Sequence, residues 1–451
     1  MLTEFSLTRT FVVLVAVAIV ASVDLMERMR WHRNAHTLFA CVLGTALSVG
    51  LIAVSRIIFL PGAAPDPSAT AFGVVLVIIL WRALFGDWEA RVKATMLGTF
   101  LFWLLVSVFS RATPDDRQAQ MLAAVVAIVP AVIWCMLFLK YHRERLSRVI
   151  LAFLAGVLST LPILFYDALV RADRELDLFL IRVTPQSFNV AAESFVNRMF
   201  HAEGTSLTVG IMIVTFLLVG LMEEGSKFWV LRRSAQHLFS SIDDALQLSV
   251  IVAIGLAFAE NVVNPVYFRA FIQDVLSGPA QTAIASFVSN VTGRSILTTM
   301  VHIVSTGVVG YTLGVCIFAK SYLQELRERG RSPRVLGFIC RVLRTNEEVT
   351  FRRLALVFGF VSAVVLHAVF NVLVSLTDVI PGNPQTIGDL LSLSPNSFLH
   401  LIPILVLPTL LYVVGGFWLL TGLFLRRMNT VERGTVVLRE ELVIIEEESG
   451  S

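Results

Sequence analysis

Apolar runs long enough to cross a bilayer recur along this chain from end to end, and no other feature restricts its fold as much. A bilayer core is about 30 Å thick, so a spanning helix needs roughly 20 mostly apolar residues. Runs of that kind lie at about 8–25, 37–55, 69–86, 94–109, 121–139, 149–166, 207–231, 245–267, 295–319, 354–376 and 398–425. The balance of residue types agrees. Of 451 residues, 56% are hydrophobic and 15% charged, against about 25% charged in soluble domains. The mean hydropathy is +0.78. The expected fold is therefore all-α: a polytopic transmembrane helix bundle of about eleven spans. A formal net charge of +3 is too small to imply a nucleic-acid partner. The partners expected are the lipid bilayer and a membrane protein substrate, and the expected location is the cell membrane.

The charges set an orientation, because Lys and Arg concentrate in short cytoplasmic loops. Arg28, Arg30 and Arg33 form one cluster; Arg91 and Lys93 another; Lys140, Arg143, Arg145 and Arg148 a third. Lys227, Arg232 and Arg233 follow, then the rich loop 320–353, then Arg426 and Arg427. These fall on alternate loops, while 377–397 has no Lys or Arg. The N-terminus is expected outside and the C-terminus in the cytoplasm. The first run, Phe11 to Val23, is followed by Asp24, Glu27, Arg28 and Arg30 and not by a small-residue cleavage site, so it reads as a retained span.

Five regions follow. Residues 1–166 form a six-span region of unassigned role. Residues 167–206 read as an outer amphipathic segment at the membrane surface. Residues 207–376 form a core, 377–428 an outer loop and last span, and 429–451 an acidic tail containing Glu440, Glu441, Glu446, Glu447 and Glu448. Within the core, 268–294 reads as a loop with short helical pieces. Cys41, Cys135, Cys316 and Cys340 form no paired motif and read as buried small hydrophobes.

Ionisable residues interrupt the later spans, and each costs at least about 2.5–3.5 kcal/mol near the bilayer centre. The seventh carries Glu223, Glu224 and Lys227; the eighth Glu260 and Asn261; the ninth His302; the tenth His367 and Asn371. On a helix, Lys227 reaches either glutamate, at i+4 or i+3. His367 and Asn371 share one face. Paired carboxylates in different protonation states suit general acid–base work. Glu223, Glu224 and Lys227 also fit a helix-end charge cluster at the interface. Polar groups on four successive helices are harder to account for as packing, since each demands a partner.

This order of motifs, Glu-Glu-x-x-Lys, Ala-Phe-Ala-Glu-Asn, a single His and His-x-x-x-Asn, resembles the PrsW family of intramembrane proteases, over roughly residues 207–376. That family sits in the superfamily of CAAX-prenyl endopeptidases and bacteriocin-immunity-type proteins. Leu256 stands where the family often has Phe. The resemblance implies a helical bundle with a catalytic chamber within the membrane and a glutamic-type peptidase acting on membrane-associated proteins, as in cleavage of an anti-sigma factor. It makes Glu223 and Glu224 the catalytic pair, with Glu260, His302, His367 and Asn371 as further site residues and Lys227 and Asn261 in support.

The expected mechanism has Glu223 activating a water, Glu224 and Lys227 setting its protonation, and His302 or His367 with Asn371 stabilising the oxyanion. No cofactor is expected. Glu223, Glu260, His302 and His367 are nonetheless reasonable zinc ligands, though the chain has no His-Glu-x-x-His. Two other classes use the same residues: a catalytically silent scaffold or immunity-type protein, and a proton-coupled transporter. The absence of an internal repeat speaks against transport. For Glu223 and Glu260 to line one chamber, the eighth span is expected to begin later than residue 245 and to run on toward Phe271.

Overall fold

The structure, a computed structural model, describes residues 33–434 apart from breaks at 60–66, 87, 112, 174, 179–180, 201–203, 265–266, 278–279, 331–333, 381 and 427. The expected span at 8–25 and the acidic tail beyond 434 lie outside the described residues. Every other expected span falls mainly on helix. The leading region contains α1 (Arg33–Ile58), α2 (Pro67–Phe85), α3 (Ala90–Arg111), α4 (Pro114–Phe138), α5 (Leu146–Leu158) and α6 (Leu161–Arg171). A two-stranded antiparallel hairpin, β1 (Leu176–Leu178) and β2 (Ile181–Val183), follows, with Leu176 opposite Val183. The core contains α7 (Phe188–Phe200), α8 (Gly204–Ser234), α9 (Ile242–Val263), α10 (Phe268–Ser277), α11 (Ala280–Gly293) and α12 (Thr299–Ile317). Then come α13 (Ala319–Glu328), α14 (Arg334–Leu343), α15 (Glu347–Val379), the short α16 (Ile387–Leu390), the last span (Val406–Phe424) and a closing turn, Asn429–Arg433.

Nine candidate spans are long and apolar enough to cross a bilayer among the described residues. The run at 69–86 falls short, with Gly73–Phe85 as a shorter apolar helix. The span expected at 149–166 is bent between α5 and α6, where Pro162 enters the first turn of α6 and cannot donate into a continuous helix. The last span starts at Val406, not 398, because Phe398–Leu401 winds into a 3-10 turn and Pro403 pairs with Thr386. Segment 167–206 is not one amphipathic stretch but the end of α6, the hairpin and α7.

Local signals explain the helix starts. The Thr113 hydroxyl accepts from the Asp116 amide at 3.3 Å, with Pro114 and two aspartates in the first turn of α4, all favourable at a positive helix end. Asn346 caps α15 through the Glu348 amide at 2.8 Å.

The bundle is organised around α9. Every residue from Ile242 to Ala257 is buried, as expected for a helix whose apolar residues fall on all sides, and Asp243, Asp244, Gln247 and Ser249 are buried with them. It packs against α12 and α5, while α12 packs on α15 and α15 on α8. Gly255 and Gly156 make the α9–α5 crossing possible: a Cβ on Gly255 would stand 2.1 Å from the Phe153 carbonyl oxygen. Small residues permit such close backbone approach. By contrast, α4 leaves Val125, Ile133 and Met136 more than half exposed. An apolar exterior on that scale belongs against lipid.

Two expectations about single residues change. The four cysteines are free but only half-buried, because their helix faces are shared between the bundle and its surroundings. Lys93 and Lys227, counted above among the loop charges, are buried; Lys93 lies 3.5 Å from His237.

Candidate active site

The eighth span does not begin late. It starts at Ile242, capped by the Ser241 hydroxyl on the Asp244 amide at 3.0 Å, and its first turn is covered by Val315, Tyr322, Met428 and Val431. At 1.5 Å per residue, Glu260 lies about 27 Å from the start of α9, while Glu223 lies about 17 Å from the end of α8. The two meet because α9 overshoots at the end that carries the basic loops and is roofed there by protein.

α8 enters the site at Gly220, where a Cβ would meet the Val364 carbonyl oxygen of α15 at 3.1 Å. One turn on, Glu224 and Lys227 are fully buried and Glu223 is nearly so. A helix-end cluster at the interface would be solvated, so the bundle interior replaces that reading. Lys227 Nζ donates to Glu224 Oε1 at 2.5 Å. The Thr306 hydroxyl of α12 donates to Glu224 Oε2 at 3.1 Å. From α15, His367 Nδ1 donates to Glu224 Oε1 at 2.9 Å. Tyr412 of the last span steadies this part of α15 by donating its hydroxyl to the Leu366 carbonyl.

Glu260 stands on the other side. His302 Nε2 donates to its Oε2 at 3.2 Å. Arg294, in the turn of π-helix Arg294–Thr298 that leads into α12, lies 3.9 Å from Glu260 Oε2 and donates from Nε to Asn261 Oδ1 at 2.8 Å. Its guanidinium covers the Tyr267 ring. Such π turns are frequent at functional sites.

Each histidine therefore has one ring nitrogen on a carboxylate, and the other turns toward Glu223. His367 Nε2 is 3.4 Å from Glu223 Oε2, and His302 Nδ1 is 3.8 Å from the same oxygen. The two rings lie edge to face, 5.0 Å apart. Glu223 Oε2 is buried and accepts no hydrogen bond. Donor atoms of Glu223, His302 and His367 all lie within 4.8 Å of one another. Tetrahedral ligands of a zinc ion bound at about 2.1 Å stand about 3.4 Å apart. An orphaned carboxylate oxygen faced by two imidazole nitrogens, each backed by a carboxylate, is a donor set that fits such an ion. Glu260, expected as a fourth ligand, instead stands behind His302.

Asn371 is half-buried, one turn beyond His367 on the same face, and no hydrogen bond or ion pair to the cluster accompanies it among the described residues. Sequence reasoning missed Thr306, Arg294 and Tyr267. A hydroxyl one turn after His302 was a signal for Thr306, whereas Arg294 reads as a boundary charge at the head of a span.

Compared with known families, the chain matches the model described as PrsW family intramembrane metalloprotease over residues 144–393. That is more than half of its length and reaches beyond 207–376 at both ends. Neither the curated proteins nor the solved structures give a match.

Proposed function

The chain belongs to the PrsW family of intramembrane proteases, and from that premise we propose that Glu223, His302 and His367 hold a divalent metal ion in a peptidase site within the bundle. It is a multi-pass integral membrane protein and a membrane protease. The observation that carries the metal reading is the buried, unpartnered Oε2 of Glu223 with an imidazole nitrogen on either side. Bound there, the ion would supply a Lewis acid for the scissile carbonyl and an acidified water.

The chain's own residues prepare that chemistry. Glu224 and Glu260 hold the outer ring N–H groups of His367 and His302, which leaves the inner nitrogens as lone pairs. Lys227 and Thr306 fix Glu224, and Arg294 with Asn261 frames Glu260. The back of the site is dry, since Glu224 and Lys227 have no exposure, while Glu260 and Arg294 are 19% and 18% exposed. A substrate backbone enters from that more open side and meets the Asn371 amide beside His367. The substrate class is a membrane-anchored protein whose cleavage is a regulatory event, in the manner of an anti-sigma factor. The basic loops face the cytoplasm in this reading.

One contact favours a second reading. Lys227 Nζ is 3.2 Å from His302 Nδ1, so a resident ammonium already engages a nitrogen the ion would need. In that case Glu223 takes a proton directly from water, with no metal. Purified protein dialysed against a chelator separates the two. Cleavage lost with the metal and restored by zinc supports the metal site; cleavage persisting in protein free of metal supports the glutamate. Unchanged cleavage by both Glu223→Gln and Glu224→Gln, with the protein inserted, would sink both readings.

A further inference from the structure

The connection between α12, which carries His302, and α15, which carries His367, holds a ten-residue helix with an uncovered apolar face. This is α14, Arg334–Leu343. Residues at i, i+3 and i+7 share one side of a helix. In α14 these are Val335, Phe338 and Val342, which are 73%, 66% and 64% exposed. Leu336, on the adjoining side, is buried, and α14 packs against α15. The helix is anchored to the bundle along one flank and open along the other.

Water does not suit the open flank. A helix this short gains little from its backbone alone, and a contiguous apolar patch marks a surface that meets something. Position on the chain identifies what it meets. Leu343 and Glu347 are four residues apart, so α14 ends within about 14 Å of the start of a spanning helix. From its first turn onward α15 presents an apolar exterior, with Val349, Val357 and Phe358 exposed. That tether holds α14 against the bilayer surface.

The charges around the face have a matching sign. Residues 320–353 carry nine Lys and Arg against four Glu. Arg327 pairs with Glu347, Arg329 with Glu325 and Arg352 with Glu348. Gln324 donates to Glu328. Arg341, one turn from Phe338, is exposed, as are Arg344 and Arg353. No ion pair or hydrogen bond joins these three side chains to another described residue. An arginine beside an apolar face lays its stem along that face and keeps its charge in the headgroup layer, where anionic headgroups attract it.

We propose that α14 lies in the plane of the leaflet at the basic end of the bundle and binds anionic phospholipid. Val335, Phe338 and Val342 enter among the acyl chains, and Arg341, Arg344 and Arg353 hold the headgroups. The leaflet's charge then bears on the segment that joins the two histidine-bearing helices.

The test reads amide exchange in full-length protein, one copy per lipid nanodisc. The discs contain phosphatidylcholine alone or phosphatidylcholine mixed with phosphatidylglycerol. Wild-type amides of α14 are expected to exchange slower by about tenfold or more when phosphatidylglycerol is present. Arg341→Gln/Arg344→Gln is expected to abolish that difference. Phe338→Ser/Val342→Ser is expected to speed exchange in α14 by a similar factor in both lipids and to leave α12 and α15 unchanged. Serine, phenylalanine and valine have similar helix propensities, so a solvated α14 would not respond. The proposal is overturned if the serine variant exchanges as wild type does, or if phosphatidylglycerol leaves wild type unchanged. Protection that arises only with two copies per disc would assign the face to a second copy of this chain and overturn it as well.

Discussion

Glu224 and Lys227 form an ion pair one helical turn apart, 2.5 Å from oxygen to nitrogen and with no exposure to solvent on either side chain. Removing one partner strands the other. Lys227→Met is expected to destabilise the bundle by about 3–5 kcal/mol, read as a fall in melting temperature in detergent. The double variant Glu224→Gln/Lys227→Met should recover much of the loss while remaining inactive, because His367 has lost its carboxylate.

Arg294→Lys keeps the charge near Glu260 but cannot both donate to Asn261 and cover Tyr267 as a planar guanidinium does. It should insert normally and cleave more slowly by at least about tenfold, equivalent to about 1.4 kcal/mol. A full-rate Arg294→Met variant would remove this residue from the site.

Gly255→Val should be among the most disruptive substitutions in the protein, since its Cβ falls 2.1 Å from the Phe153 carbonyl oxygen. Overpacking of this kind costs about 1–3 kcal/mol or more. Gly293→Ala, where a Cβ meets nothing within 4 Å, is the matched control. Yields of monodisperse protein after extraction compare the two.

Asp389 gives a pH prediction on the surface. Hydrogen bonds from the Thr386 side chain first, then from the Thr386 and Gln385 amides and His400, hold its carboxyl below the usual carboxylate range. A depressed value means the folded loop prefers the charged form. Its contribution is fully present above the ordinary carboxylate range and is lost as pH falls through the depressed value. Amide exchange at Thr386 and Gln385 should therefore accelerate at acidic pH in wild type, and Asp389→Asn should show fast exchange at all pH values.

Much of this architecture is written locally. A spanning helix declares itself by twenty apolar residues, so the runs carrying Glu223, Glu260, His302 and His367 are found without knowing their neighbours, and a charge within such a run is conspicuous. What local pattern cannot supply is the partner. Thr306 looks like any hydroxyl tolerated in a helix until Glu224 faces it. Arg294 and Lys227 look like charges that mark span ends. Asp243 and Asp244 look like residues of a solvated helix start, yet both are buried, with His142 of the α4–α5 turn on Asp244. The hairpin after α6 has strands of three residues, too short for any alternation to register.

The halves of the intramembrane cluster rest on helices with different surroundings. Glu260 and His302 are carried by α9 and α12, which other helices surround. Glu223 and His367 are carried by α8 and α15, which expose Leu221, Trp229, Val361 and Val365 at the bundle's edge. A sideways shift of the outer pair would alter the 3.8 Å between Glu223 and His302 and leave the 3.2 Å between His302 and Glu260 as it is. The cluster thus has one wall enclosed by protein and one that borders the lipid, so a change on the lipid side reaches Glu223 and His367 before it reaches Glu260 and His302.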